Sequence, residues 1–149
     1  MYQTTPYTAT RDTYRISTDP ALLDVDWVHQ SLTNTYWATG IPREVVAKAL
    51  THSLAFGMYT EDYQMGIARV ISDFATFAYV SDVFIDPAHR NKGLSLWLIE
   101  CIRAHPELQG LRRMALVTTK ARDLYAKCGF TDLSHPERWM EIFDPEIYL

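Results

Sequence analysis

The run Val83-Phe84-Ile85-Asp86-Pro87-Ala88-His89-Arg90-Asn91-Lys92-Gly93-Leu94-Ser95 changes character twice within thirteen residues. An apolar, β-rich stretch ends at Ile85, and Asp86-Pro87 breaks it. From residue 94 the apolar positions 94, 97, 98, 101 and 102 recur with helical spacing until Pro106 stops them. The run therefore reads as a strand that passes through a turn directly into a buried helix. Such a junction leaves the N–H groups of the first helical turn without partners, and together with the helix dipole they attract a phosphate. Gly93 lets the backbone approach a ligand closely, while Arg90 and Lys92 add positive charge. Taken alone, the same residues also read as an ordinary strand-to-helix turn with solvated bases.

Outward from this junction the pattern is regular. Upstream, Leu54–Tyr59, Met65–Ser72 and 76–85 are β-rich runs separated by the polar turns Thr60-Glu61-Asp62 and Ser72-Asp73, which predicts a three-strand meander. Before them come a short extended piece, Tyr14–Ser17, and a helix predicted over 20–36. Asp19 is placed to cap that helix, and Leu23, Trp27, Val28 and Leu32 lie near helical spacing. A second helix starts at Pro42 and turns Val45, Val46, Ala49 and Leu50 to one side. The aromatic loop Tyr36-Trp37-Ala38-Thr39-Gly40 joins the two. Downstream, 114–118 reads as a strand and 121–128 as a short helix with Gly129 as its left-handed cap. A closing strand is predicted over 139–143. The fold class is α+β.

The chain has 149 residues, 48% of them apolar, which is enough for one substantial core and too little for two, so we expect a single domain, 1–149, with its core over about 14–143. A net charge of −4 gives no general attraction to nucleic acid or to an anionic membrane, and neither is expected as a partner. No run approaches the roughly 20 apolar residues of a membrane span, and the polar, Thr-rich start lacks an apolar signal segment. A cytoplasmic location is expected. Cys101 and Cys128 read as free thiols, and no histidine spacing argues for a metal. His89, beside Arg90, is expected to face solvent.

About thirty residues beyond the turn stands Ala121-Arg122-Asp123-Leu124-Tyr125-Ala126-Lys127-Cys128-Gly129-Phe130. By itself Tyr125 reads as a core aromatic. The combination of a phosphate-gripping turn, a strand and then Ala-x-x-Leu-Tyr-x-x-x-Gly-Phe resembles the GNAT superfamily of acetyl-CoA-dependent N-acetyltransferases, and the order of elements follows that family over about 14–143. The family pattern Arg/Gln-x-x-Gly-x-Gly/Ala is met by Arg90-Asn91-Lys92-Gly93-Leu94-Ser95, with Ser95 in the last small position. The resemblance implies a central, mostly antiparallel twisted sheet flanked by helices. It implies acetyl-CoA as co-substrate, its pyrophosphate held by the amides of Asn91 to Leu96 and its pantetheine arm paired with Val83, Phe84 and Ile85. Thr118 stands where many members carry an asparagine near that arm. Tyr125 matches the family tyrosine near the sulfur, which acts as general acid.

Acetyl transfer to an amine also needs a base, because an alkylammonium with a pKa near 10.4 must lose a proton before it attacks. Asp82, a carboxylate in an otherwise apolar strand, is the first candidate. Regular alternation puts it on the opposite face from Ser81 and Val83 unless a bulge reorients it, and a structural bond to Arg69 is an equal alternative. Glu141 is the second candidate, with a solvated surface charge as its alternative. The acceptor site is expected between the first two helices and the strands, with Trp27, Tyr36, Trp37 and His29, and the expected acceptor is a small-molecule amine. The alternatives are a non-catalytic acyl-CoA sensor and an acetyltransferase acting on protein amines. The Tyr148-Leu149 end is compatible with a homodimer contact or with an exposed tail.

Overall fold

The computed structural model describes residues 5–149. Its sheet contains β1 (Thr8–Arg11), β2 (Tyr14–Ser17), β3 (Leu54–Tyr59), β4 (Gln64–Ser72), β5 (Phe77–Ile85) and β6 (Arg113–Leu116), in the spatial order of the chain. Every neighbouring pair is antiparallel except β5 and β6, which are parallel. The crossover that parallel pairing demands is supplied by α3 (Leu94–Ala104). The other helices are α1 (Val25–Leu32), α2 (Arg43–Thr51) and α4 (Arg122–Lys127).

β3 is buried along its whole length because helices cover both faces of the sheet. On one side α3 lays Leu94, Leu98, Ile99 and Ile102 against Phe56, Met58, Val70 and Val80. On the other, Val28 and Leu32 of α1 and Val46 and Leu50 of α2 close over Ala55 and Ile67. Phe56 and Ala55 thus serve opposite cores, as a period of two requires.

The meander, the helix from residue 94 and the short helix before Gly129 lie where the sequence predicts them, and Gly129 has φ +94°. Three features differ. The helix expected over 20–36 is a 3-10 turn at Pro20–Leu22 followed by α1, because two aspartates cap in succession: Asp19 accepts from the Ala21 amide and Asp24 from the Trp27 amide. Its far end stops early, as the Asn34 amide and the Thr35 hydroxyl donate to the carbonyls of Gln30 and Leu32. The closing strand over 139–143 does not form within the chain; these residues join no sheet among the described residues. Conversely, β1 lacks an apolar signature, having only Ala9 on its packed side, and is held by its pairing with β2 across a turn in which Asp12 takes φ +53°.

Gly57 shows how closely β3 is fitted. A Cβ there would collide with the ring and hydroxyl of Tyr59, whose side chain folds back over the strand. Gly57→Ala is expected to cost about 1–3 kcal/mol in urea unfolding, and part of that loss should return when Tyr59→Leu is added.

Candidate active site

The site begins with one extra residue in β5. Register runs from Ser72↔Ala78 to Arg69↔Ser81 and resumes at Ile67↔Phe84, so Asp82 and Val83 together face Ala68. Asp82 takes the left-handed conformation, φ +55°, as a β-bulge allows. The extra residue resets the alternation. Ala78 and Val80 face α3, and without the bulge Asp82 would follow them. Instead Val83 and Ile85 pack toward α3 and Phe84 joins the α1/α2 core. Asp82 stays on the α1/α2 face.

There its Oδ2 accepts from Nε of Arg69 at 3.0 Å and its Oδ1 from the indole N–H of Trp37 at 3.0 Å, while a terminal nitrogen of Arg69 donates to the Ser53 hydroxyl at 2.9 Å. The ion pair is largely withdrawn from water, with side-chain exposures of 10% for Asp82 and 16% for Arg69. Both residues line a cavity of about 70 Å³ whose other walls are aliphatic residues of α1 and α2, with Ile41, Ile67 and Tyr148. The cavity therefore carries a paired charge at one end of an apolar chamber. Of the two readings open for Asp82 in the sequence, the structural bond to Arg69 is present, and the bulge sets the face from which it is made.

β6 accompanies β5 only as far as Val80↔Leu116. Beyond that point the outer edge of 81–85 has no strand partner among the described residues, so its outward backbone groups, apart from the Ile85 carbonyl that accepts from Arg90, are available to an extended ligand. The strand continues through a 3-10 turn, Pro87–His89, capped by Asp86. Then Asn91 (φ +65°) and Gly93 (φ +73°) turn the chain into α3. No backbone or side-chain acceptor among the described residues takes the amides of 91–96, and space stands open around Gly93. Successive amides facing one way at a helix start form an anion cradle.

The bases beside the cradle are already engaged. Nε of Arg90 donates to the Ile85 carbonyl at 2.9 Å, its guanidinium lies over the Phe84 ring, and Lys92 reaches the Tyr14 hydroxyl at 3.3 Å. His89 does not face bulk solvent as expected. Its two ring nitrogens meet the hydroxyls of Tyr14 (2.9 Å) and Tyr63 (2.8 Å), pinning the turn to β2 and to the β3–β4 connection. Those partners lie 75 and 26 residues away in the chain, and no local pattern reveals them.

Tyr125 comes from α4, on the other side of the opening. Its ring is 9% exposed and packs edge-on against Phe130, and its hydroxyl has no hydrogen-bond partner among the described residues. Burial, with smaller effects from Tyr36 and Cys128, raises its pKa from 10.0 to about 12. Tyr36 thus stands near Tyr125, stacks edge-on against Trp37 and lies under the ammonium of Lys120 at 4.9 Å.

The structure therefore gathers Tyr36, Trp37, Asp82 and Tyr125 at the mouth between β5 and β6. Trp27 lies elsewhere, with Phe84 and Arg90 around an open groove of about 420 Å³. His29 is occupied with the Ile41 carbonyl at 3.0 Å. The Thr118 hydroxyl accepts from the Ala121 amide and so caps the approach to α4. Glu141 is exposed in the C-terminal segment, residues 139–149, close enough to Tyr79 to contribute to raising its pKa. Arg69, Ser53, Lys120 and Tyr148 complete the site; Arg69 alone had a visible signal, a cation in an otherwise apolar strand.

A family model described as an acetyltransferase (GNAT) domain matches residues 51–132. A protein of Gibberella zeae, classed by name with the acetyltransferases, is 35% identical over alignments covering 83% of this chain and 82% of its own. A crystal structure of a GNAT-family protein from Xanthomonas campestris pv. campestris is 46% identical, with a TM-score of 0.90 over 93% of this chain and 99% of that one. A structure from Clostridium acetobutylicum described with acetyl-CoA shares the fold at 16% identity, with a TM-score of 0.64 over 87% and 94% of the two chains. This chain belongs to the GNAT acetyltransferase family, whose members use acetyl-CoA. No helix among the described residues is long and apolar enough to cross a membrane.

Because Asp82 and Arg69 are mutually neutralised inside the fold, Arg69→Met should leave a buried carboxylate unpaired. We expect a loss of about 3 kcal/mol in urea unfolding, with Asp82→Asn added to the same chain restoring part of it.

Proposed function

We propose that the chain transfers the acetyl group of acetyl-CoA directly to a primary amine carried by a small molecule. The observation that carries this reading is the convergence, around one end of β5, of an unpaired strand edge, an amide cradle at the start of α3 and a tyrosine hydroxyl without a partner. The amides of 91–96 and Ser95 suit a pyrophosphate, and the edge of Val83, Phe84 and Ile85 suits the amides of a pantetheine arm. Extended along that edge, the arm would run toward the bulge and Tyr125. Thr118, at the end of the strand that diverges from β5, borders the same opening.

In the proposed reaction the amine nitrogen forms a bond to the acetyl carbon and the carbon–sulfur bond breaks. Tyr125 donates its phenolic proton to the departing thiolate, and the second proton that the nitrogen loses as the amide forms restores the phenol. An amide near Val83 polarises the acetyl oxygen. Asp82 takes the proton of the incoming ammonium at Oδ1, where the acceptor displaces the Trp37 indole while Arg69 keeps Oδ2. Tyr36 and Trp37 offer aromatic faces to the cationic acceptor before that proton is lost.

Calorimetric titration with acetyl-CoA, combined with release of free CoA thiol against a panel of small amines, tests this directly. Tyr125→Phe should retain cofactor affinity within about threefold and lose roughly 100-fold or more in kcat. Absence of binding overturns the reading, and binding without turnover on any amine supports a sensor instead.

The pH profile gives a second check. The raised pKa of Tyr125 means that the folded protein favours the protonated phenol. Its stabilising contribution is full below pH 10 and is lost as pH rises toward about 12. An alkaline limb in kcat assigned to Tyr125 is therefore expected above about pH 11, absent in Tyr125→Phe; a Tyr125-dependent limb near pH 9 would contradict the role.

A further inference from the structure

The amide cradle is made of backbone that does not hold its own shape. Asn91 and Gly93 take positive φ within three residues, +65° and +73°, and in Asn91 that conformation is unfavourable by itself. A single 3-10 turn, Pro87–His89, leads into it. Within β5 and the turn, Asp86 caps the Ala88 amide at 2.9 Å and its own amide donates to the Met65 carbonyl at 2.8 Å. These bonds stop short of the left-handed residues. The direction in which the amides of 91–96 face is therefore set by what grips residues 89 to 92.

His89 supplies that grip through both ring nitrogens. Nδ1 lies 2.9 Å from the Tyr14 hydroxyl and Nε2 2.8 Å from the Tyr63 hydroxyl, and the two tyrosine rings pack on the imidazole with centroids 5.6 and 5.8 Å away. The Tyr14 hydroxyl also meets Nζ of Lys92 at 3.3 Å. An ammonium can only donate, so the Tyr14 oxygen accepts from Lys92 and its proton goes to Nδ1 of His89, which then donates from Nε2 to Tyr63. One hydroxyl of β2 thus holds the chain on both sides of Asn91. Both partners are themselves fixed: Tyr14 pairs with Arg11 in the β1–β2 ladder, and Tyr63 exchanges bonds with the Thr60 amide and hydroxyl in the β3–β4 connection.

We propose that His89 is a positioning residue for cofactor binding. Bridged between Tyr14 and Tyr63, it holds the turn in the one conformation that aims the amides of 91–96 together at a pyrophosphate, and it acts through the backbone rather than on the cofactor. The inference rests on the reading of those amides as the phosphate site and adds what keeps them aligned before the ligand arrives. Alignment in advance raises affinity by removing an ordering cost that binding would otherwise bear. Loss of the bridge leaves each amide in place in the sequence but lets Asn91 relax from its unfavourable φ, so the cradle opens without any ligand-contacting group being removed.

Titration of two ligands into four proteins tests the proposal: acetyl-CoA, and S-acetylpantetheine, which has the same thioester arm without the pyrophosphate. His89→Ala should weaken acetyl-CoA binding about tenfold and leave S-acetylpantetheine binding unchanged. Tyr63→Phe keeps the ring and leaves Lys92 alone, and should weaken acetyl-CoA binding about threefold. His89→Gln, which retains a donor and an acceptor, should recover most of the loss. A wild-type protein that does not bind acetyl-CoA overturns the phosphate-site reading and the role of His89 with it. Wild-type binding that His89→Ala leaves intact overturns only the role of His89. An equal loss toward both ligands, or no recovery in His89→Gln, also overturns it, leaving His89 a part of the general fold.

Discussion

The site depends on a single inserted residue. Asp82, held at positive φ in β5, moves every later side chain of that strand to the opposite face and lies just beyond the last β5–β6 pair. Left-handed backbone in a non-glycine residue is unfavourable by itself. The Arg69 guanidinium, the Trp37 indole and the packing of Val83 and Phe84 on opposite cores oppose that cost. What the local conformation loses, the surrounding contacts hold in place. Among the described residues the result is a strand paired on one edge and without a strand partner on the other, next to a helix whose first amides also have no acceptor.

The two cores divide the labour. The α3 side anchors the cradle, because Leu94, Trp97 and Leu98 fix the start of the helix against the sheet while its amides look outward. The α1/α2 side builds the acceptor end around a buried ion pair. Burying Asp82 and Arg69 is a weak source of stability, and its value here lies in placing a carboxylate beside an apolar chamber. The C-terminal segment contributes to this side, since Tyr148 lines the chamber that Asp82 also lines.

Much of the architecture was legible in the sequence. The meander, α3 and α4 follow from periodicity and from breakers such as Pro87, Pro106 and Gly129, all of them local signals. Helix α1 was misjudged in length because Asp19 and Asp24 are both competent caps, and only folding chooses between a continuous helix and two pieces. The strand expected over 139–143 has the right residues but pairs with no strand among the described residues; strand pairing is a non-local property that composition does not report. For the same reason the Tyr14–His89–Tyr63 clamp was invisible, whereas Asp82 and Arg69 stood out as charges in apolar strands.

The direct measurement of the central claim is amide hydrogen exchange with and without acetyl-CoA. The account predicts slowed exchange at 83–85 and 91–96 on addition of acetyl-CoA, with β1 and β2 unchanged. Exchange at those two segments unaltered by saturating cofactor would contradict the assignment of the open β5 edge and the α3 amides as its binding surface.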